Sequence, residues 1–211
     1  FCGAEMREYV MEFFGTMFLV LAIALTGNPL AIGMMLMAMV YIGGHVSGAH
    51  YNPAVTISVW IRGKLDSGKI FGYILAQALG AFTAAYIFYS LSGKAFLPSP
   101  AGGISLWDSI LVEMLFTFIL CSVILAVATS RKLEGNHIYG LAIGLTLAAG
   151  AYAGGSISGG VYNPAVALGS MIFGSLTGVY GFNNLIIYLI GPFAGAILAA
   201  WSFKYFNSKD S

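Results

Sequence analysis

Apolar residues along this chain come in long runs, not in the short alternations of a half-buried sheet. Six runs, roughly 9–27, 30–46, 70–91, 108–129, 138–155 and 183–206, come near the length of about 20 residues that a helix needs to cross a membrane. Two further apolar stretches, about 52–61 and 163–173, are too short to cross. Each opens on Asn-Pro-Ala: Asn52-Pro53-Ala54 and Asn163-Pro164-Ala165. Pro suits a first helical turn, because the N–H it lacks would be unpaired there anyway. A short helix at membrane depth is tolerated only where the irregular backbone beside it is buried or lines a wet cavity. The pattern therefore predicts an all-α membrane fold of six transmembrane helices plus two re-entrant half-helices.

Composition agrees. The 211 residues are 59% hydrophobic and 8% charged, with a mean hydropathy of +0.87. A soluble domain carries about 25% charged residues. So little charge cannot cover a water-facing surface, and lipid bilayer is the natural solvent. The 28 glycines fit, since glycine lets membrane helices approach closely. A net charge of +1 gives no electrostatic case for nucleic acid as a partner. Cys2 and Cys121 lie far apart and suggest neither a disulfide framework nor a metal site. The stretch beginning at Phe1 shows no cleavable signal-peptide pattern.

The nine Lys and Arg residues orient the spans. Six crossings put both chain ends on one face. On that face fall Arg7, Arg62, Lys64, Lys69, Arg131, Lys132, Lys204 and Lys209; only Lys94 falls opposite. By the positive-inside rule both termini are expected in the cytoplasm. A plasma membrane is expected ahead of an organelle membrane.

The chain repeats itself. Gly43 to Val55 matches Gly154 to Val166 at a constant offset of 111, with nine of thirteen positions identical. At an offset of 115, Tyr73, Gly80, Ala81, Ala84, Ala85 and Phe88 match Tyr188, Gly195, Ala196, Ala199, Ala200 and Phe203. Glu12 and Thr16 are echoed more loosely by Glu113 and Thr117. The whole chain, 1–211, reads as one domain, with repeat one at about 8–95 and repeat two at about 105–206. Each half holds three spans, an odd number, so the second half enters from the opposite face. In such inverted repeats the site lies near the midplane, where broken helices meet.

With Ser47-Gly48-Ala49-His50-Tyr51-Asn52-Pro53-Ala54-Val55-Thr56, the second Asn-Pro-Ala, and Glu12 and Glu113 in spans one and four, the sequence resembles the major intrinsic protein family, the aquaporins and aquaglyceroporins. The resemblance covers nearly the whole chain. It implies a right-handed six-helix bundle with two half-helices meeting midway, and usually a homotetramer with one pore per subunit. It also implies a passive channel for water and small neutral solutes that excludes ions and protons. It implies no enzyme and no cofactor.

The chemistry can be argued residue by residue. If the half-helices meet end to end, each N-terminus brings about half a positive charge to mid-membrane. Asn52 and Asn163 cap those termini, and a capping Asn can use its oxygen for the helix and leave its amide for a solute. Cations then meet a positive field, and a proton wire is interrupted. Before each Asn, an extended loop must leave carbonyls without helical partners. Those of Gly48, Ala49, His50, Gly159 and Val161 are expected to line the pore as acceptors. Glu12 and Glu113 are acids inside apolar spans and need partners. By the resemblance they support the loops; a proton-coupled carrier using them is the alternative. No Lys, Arg or Asp lies in the interior of a span to complete a relay. His45 and His50 have no Cys, Asp or Glu beside them, so no metal site is expected.

The chain also departs from the family pattern. Most members carry Arg directly after the second Asn-Pro-Ala; here it is Val166. Gap-free counting puts the family's outer constriction, its selectivity filter, at Ile32, Ala151, Gly160 and Val166. All four are small or aliphatic, which predicts a wide, apolar collar admitting ammonia, urea, hydrogen peroxide or glycerol. Tyr152 and the 92–107 loop are candidates for refilling it.

Overall fold

The computed structural model describes residues 2–179 and 181–208; Phe1 and Lys209 lie outside these, as does the side chain of Cys2. Eight α-helices follow in order: α1 (Cys2–Thr26), α2 (Pro29–Ser47), α3 (Pro53–Ile61), α4 (Ile70–Ser92), α5 (Leu106–Thr129), α6 (Tyr139–Ser158), α7 (Pro164–Leu176) and α8 (Leu185–Phe206). Among the described residues six helices, all but α3 and α7, are long and apolar enough to span a membrane. α3 has 9 residues and α7 has 13. The fold is therefore the expected bundle of six spanning helices and two half-helices.

Helix ends differ from the apolar runs for local reasons. α1 starts well before residue 9, because Glu5, Arg7 and Glu8 continue the helix beyond its apolar stretch. α2 and α6 stop where Gly48 (φ 83°) and Gly159 (φ 95°) turn left-handed, each returning its N–H to a carbonyl four residues back. Only glycine takes that turn without a steric penalty.

Within each half the first and last spanning helices pair, α1 with α4 and α5 with α8, while α2 packs on α6 across the molecule. The half-helices cross over. α3 lies mainly on α8 and α7 mainly on α4, so each half holds the other's short helix. Lipid tails are as apolar as the helix surfaces, so association depends on close packing, with interhelical hydrogen bonds averaging only about 0.6 kcal/mol. Glycine makes the close packing possible. A methyl group on Gly33 would fall on the Gly144 carbonyl, one on Gly80 on the Phe13 carbonyl, and one on Gly195 on the Met114 carbonyl. The last two are repeat-related crossings of α1 with α4 and of α5 with α8.

Candidate functional site

The site is built from the two loops that return to mid-molecule before α3 and α7. In the first, Gly48, Ala49 (φ 53°) and Tyr51 (φ 53°) are left-handed; in the second, Gly159, Gly160 (φ 64°) and Tyr162 (φ 50°) are. A non-glycine residue in that region costs on the order of 1–3 kcal/mol and persists only where its surroundings fix it. Here a buried carboxylate fixes it. Glu12 Oε1 accepts from the Ser47 hydroxyl (2.7 Å) and the His50 N–H (2.9 Å). Its Oε2 accepts from the Tyr51 N–H (2.7 Å) and Gln77 Nε2 (2.8 Å). Glu113 repeats the pattern with Ser158 (2.7 Å), the Val161 N–H (2.9 Å) and the Tyr162 N–H (2.6 Å).

This turns the loop N–H groups away from the centre. The Ala49 and Gly160 N–H groups go to the Ser47 and Ser158 hydroxyls, both 3.1 Å away. The carbonyls are left over. Among the hydrogen bonds of the described residues, those of Gly48, Ala49, His50, Gly159, Gly160 and Val161 accept from no protein group. Four tyrosines hold the frame. Tyr51 and Tyr162 donate their hydroxyls to the Met39 and Gly150 carbonyls, and Tyr73 and Tyr188 to those of Ser47 and Ser158.

At the centre, Asn52 Oδ1 accepts from the Ala54 N–H (2.9 Å) and Asn163 Oδ1 from the Ala165 N–H (3.0 Å). Each amide is then turned to the opposite loop. Asn52 Nδ2 donates to the Tyr162 carbonyl (2.8 Å), and Asn163 Nδ2 to the Tyr51 carbonyl (2.9 Å). One N–H of each amide is consumed and one is left. The expectation of an amide wholly free for solute is thereby narrowed to a single donor per Asn.

Both Asn residues line one cavity of about 500 Å³, and Ile32, Ala151, Gly160 and Val166 all line it too. The loop residues Gly159, Gly160 and Val161 line it together with aliphatic side chains, among them Ile32, Leu36, Ile143 and Leu147. Pro53, Ala54, Pro164 and Ala165 are buried behind as the first helical turns. Phe96, Leu97, Pro98 and Ser99 line the cavity too, their segment held by the Ala101 N–H on the Ile157 carbonyl (3.0 Å). Tyr152 lines the mouth but is 62% exposed. A second cavity, of about 860 Å³, opens on the face of Lys64, Asp66, Lys69 and Arg131. Ala49, His50, Ile124 and Ile143 belong to the walls of both cavities.

A polar cluster unforeseen from sequence sits beside the first loop. Thr56 Oγ1 takes Gln77 Nε2 at 2.9 Å, lies 3.2 Å from His50 Nδ1, and bonds the Asn52 carbonyl at 3.1 Å. Repeat two has Ala167, Pro192 and Val161 at the matching positions. The repeat that exposes the matched tyrosines is silent here, because the cluster exists in one half only. Among the described residues no group of His, Cys, Asp or Glu could hold a metal ion.

A family model described as Major intrinsic protein matches residues 3–203. The chain belongs to the major intrinsic protein family. Similar members include an aquaporin NIP1-4 of Oryza sativa subsp. japonica, 36% identical over 96% of this chain and 80% of that one. Aquaporin AqpM of Methanothermobacter marburgensis is 37% identical over 85% and 76%. A glycerol uptake facilitator protein-like 6 of Lactiplantibacillus plantarum is 34% identical over 97% and 100%. Among solved structures, the aquaglyceroporin of Plasmodium falciparum superposes with a TM-score of 0.83 at 28% identity, covering 94% of this chain and 95% of that one. The protein is thus a multi-pass integral membrane protein of a family of channels for water and small solutes such as glycerol.

Proposed function

We propose that the chain is a passive channel whose pore runs through the two cavities and past the Asn52–Asn163 pair, excluding ions and protons while passing water, ammonia, urea, hydrogen peroxide and glycerol. One observation carries this reading: the N-termini of α3 and α7, each capped by an Asn with one amide N–H to spare, meet inside a cavity lined by both return loops and by aliphatic side chains. A neutral solute exchanges hydration for the loop carbonyl acceptors and for the two Asn donors at the centre. The aliphatic side chains offer no hydrogen bonds, so the loop carbonyls and the Asn amides supply the polar contacts. An ion loses its shell with partial replacement only and meets the positive ends of two helices.

Ile32, Ala151, Gly160 and Val166 form the outer filter in this reading, with the 96–99 segment supplying the rest of the collar. Glu12 and Glu113 act as loop supports. The saturation of both carboxylates by fixed donors favours that role over a proton relay. The channel unit is the whole chain, with halves at about 8–95 and 105–206. It works as a homotetramer with both termini in the cytoplasm, in the plasma membrane. Its partners are solute, lipid and further copies of itself; it needs no cofactor and catalyses no reaction.

The test is stopped-flow swelling and shrinkage of vesicles reconstituted with the protein, using water, urea, glycerol and ammonia. Flux linear in gradient and insensitive to proton gradient is expected. Saturating flux that follows a pH gradient would favour the carrier.

A further inference from the structure

Between α5 and α8, on the face that carries the chain ends, lies a groove of about 570 Å³ that belongs to neither half of the pore. Phe118, Ser122, Ala126 and Ser130 run down one side at four-residue spacing. Twelve helical residues rise about 18 Å, close to the roughly 15 Å of one leaflet's hydrocarbon. Ala199 and Phe203 form the floor, and Lys132 stands exposed at the open end. Ser122 donates to the Phe118 carbonyl at 2.7 Å, so its polar atom is satisfied within the helix and its side of the wall is effectively apolar.

The other half of the molecule supplies an internal control. At the repeat offsets, Phe118, Ser122 and Ala126 correspond to Met17, Leu21 and Leu25, and Ser202 to Ile87. Leu21 and Ile87 pack against the core there. The fold therefore does not need small residues at this crossing; the first half fills the same place with bulk. The small side chains Ser122, Ala126 and Ser202 belong to repeat two only.

In a membrane such a groove cannot stay empty, because lipid chains are its solvent. We propose that it holds one acyl chain of an anionic phospholipid whose headgroup is bound by Lys132. Charge complementarity selects the headgroup. Lys132 is the one charged side chain among the residues lining the groove, and no carboxylate lines it to compete for the lysine. Basic pockets between spanning helices bind anionic headgroups in this way.

The experiment uses the full chain with palmitoyl-oleoyl phosphatidylglycerol and phosphatidylcholine. Lipids retained per protomer are counted by native mass spectrometry after mild detergent extraction, and Tm is read as each lipid is added. Wild type should retain phosphatidylglycerol with about a fivefold preference, the ratio expected of one basic side chain at a lipid surface. Lys132→Gln should abolish the preference and keep chain binding. Ser122→Leu with Ala126→Leu should lower retention of both lipids; if that pair fails to fold, Ser202→Ile fills the groove from the other wall. Equal retention by wild type, or an undiminished preference in Lys132→Gln, overturns the proposal. So does a filling variant that lowers oligomer mass with lipid count unchanged, since a second copy would then occupy the groove. Stabilisation by free glycerol phosphate equal to that by phosphatidylglycerol overturns it as well, because the site would then bind a soluble anion.

Discussion

The Asn52 side chain donates to the Tyr162 carbonyl at 2.8 Å, a bond between residues 110 positions apart. Its mate from Asn163 to the Tyr51 carbonyl runs the other way at 2.9 Å. The two bonds form a reciprocal staple at the meeting point of the half-helices. Each Asn thereby caps its own helix and ties down the opposite loop. Replacing Asn52 with Asp keeps the cap oxygen and deletes the amide donor, leaving a carboxylate facing a carbonyl. A buried group so stranded costs at least about 1–3 kcal/mol. Asn52→Asp is expected to lower Tm and to raise cation leak in vesicles. The variants Asn52→Ala and Asn163→Ala should couple in a double-mutant cycle rather than add. Unchanged stability and flux in the double variant would disconnect the pair from the pore.

The two carboxylates give a second test. Glu12 receives four donors and Glu113 three. Gln in either place turns an acceptor into a donor against fixed N–H groups. Hydrogen bonds to a charged group are worth about 1.5–3 kcal/mol each, so both variants should lose stability, Glu12→Gln the more. Thermal unfolding in detergent measures this. A Glu12→Gln protein of full stability that loses only proton-coupled flux would instead support the carrier.

Much of this arrangement is legible in the sequence, and the remainder fails for identifiable reasons. Twenty-residue apolar runs have one physical outcome in a membrane, so the spans follow. Asn before Pro marks the half-helix starts, because Pro at the first turn and Asn at the cap are both local preferences. The start of α1 is missed because Glu5, Arg7 and Glu8 break the apolar pattern without breaking the helix. The Asn–Tyr staple depends on the left-handed turns at Tyr51 and Tyr162, which no periodicity reports. The Gln77–Thr56 cluster has no counterpart in repeat two, so self-comparison cannot find it. The 92–107 loop is expected as a candidate for refilling the collar, but it follows no period, and only its contacts single out 96–99 as the part that lines the cavity.

Helix crossing gives a third test. Gly33 and Gly144 face each other's backbone where α2 meets α6. Gly33→Ala forces main chain apart, a shift that in packed cores costs typically about 1–3 kcal/mol. Gly102→Ala is the control, since nothing lies within 4 Å of the added methyl group. The first should lower Tm and the second should not.

Thiol chemistry gives a fourth. Cys121 is fully buried in the core and lines neither of the two cavities. Mercurials are expected to inhibit wild-type water flux weakly. Ala151→Cys places a thiol on the cavity wall from a regular helix, without the left-handed strain that Gly160 would impose. That variant should gain a block reversed by a thiol reductant. Strong wild-type inhibition that vanishes in Cys121→Ser would put Cys121 within reach of the pore.

The filter itself supplies the last. Val166 is buried against the cavity, in the first turn of α7, with its N–H on the Asn163 carbonyl at 3.2 Å. Arg at this place would carry a planar cation with five N–H donors into an apolar collar. It needs acceptors, and the unpartnered carbonyls of Gly159 and Gly160, which line the same cavity, are the candidates. Once paired there, the guanidinium takes up cross-section and adds a repulsion for cations that little water can screen. Water loses less than urea, because it is smaller and can share the remaining carbonyls. Val166→Arg is therefore expected to lower urea permeability far more than water permeability. Monodispersity of the purified variant is checked first, so that misfolding is not read as selectivity. The deciding quantity is the ratio of urea to water permeability in matched vesicles. A folded variant with an unchanged ratio would move the narrowest point away from Val166, toward the Phe96–Ser99 segment that also lines the cavity.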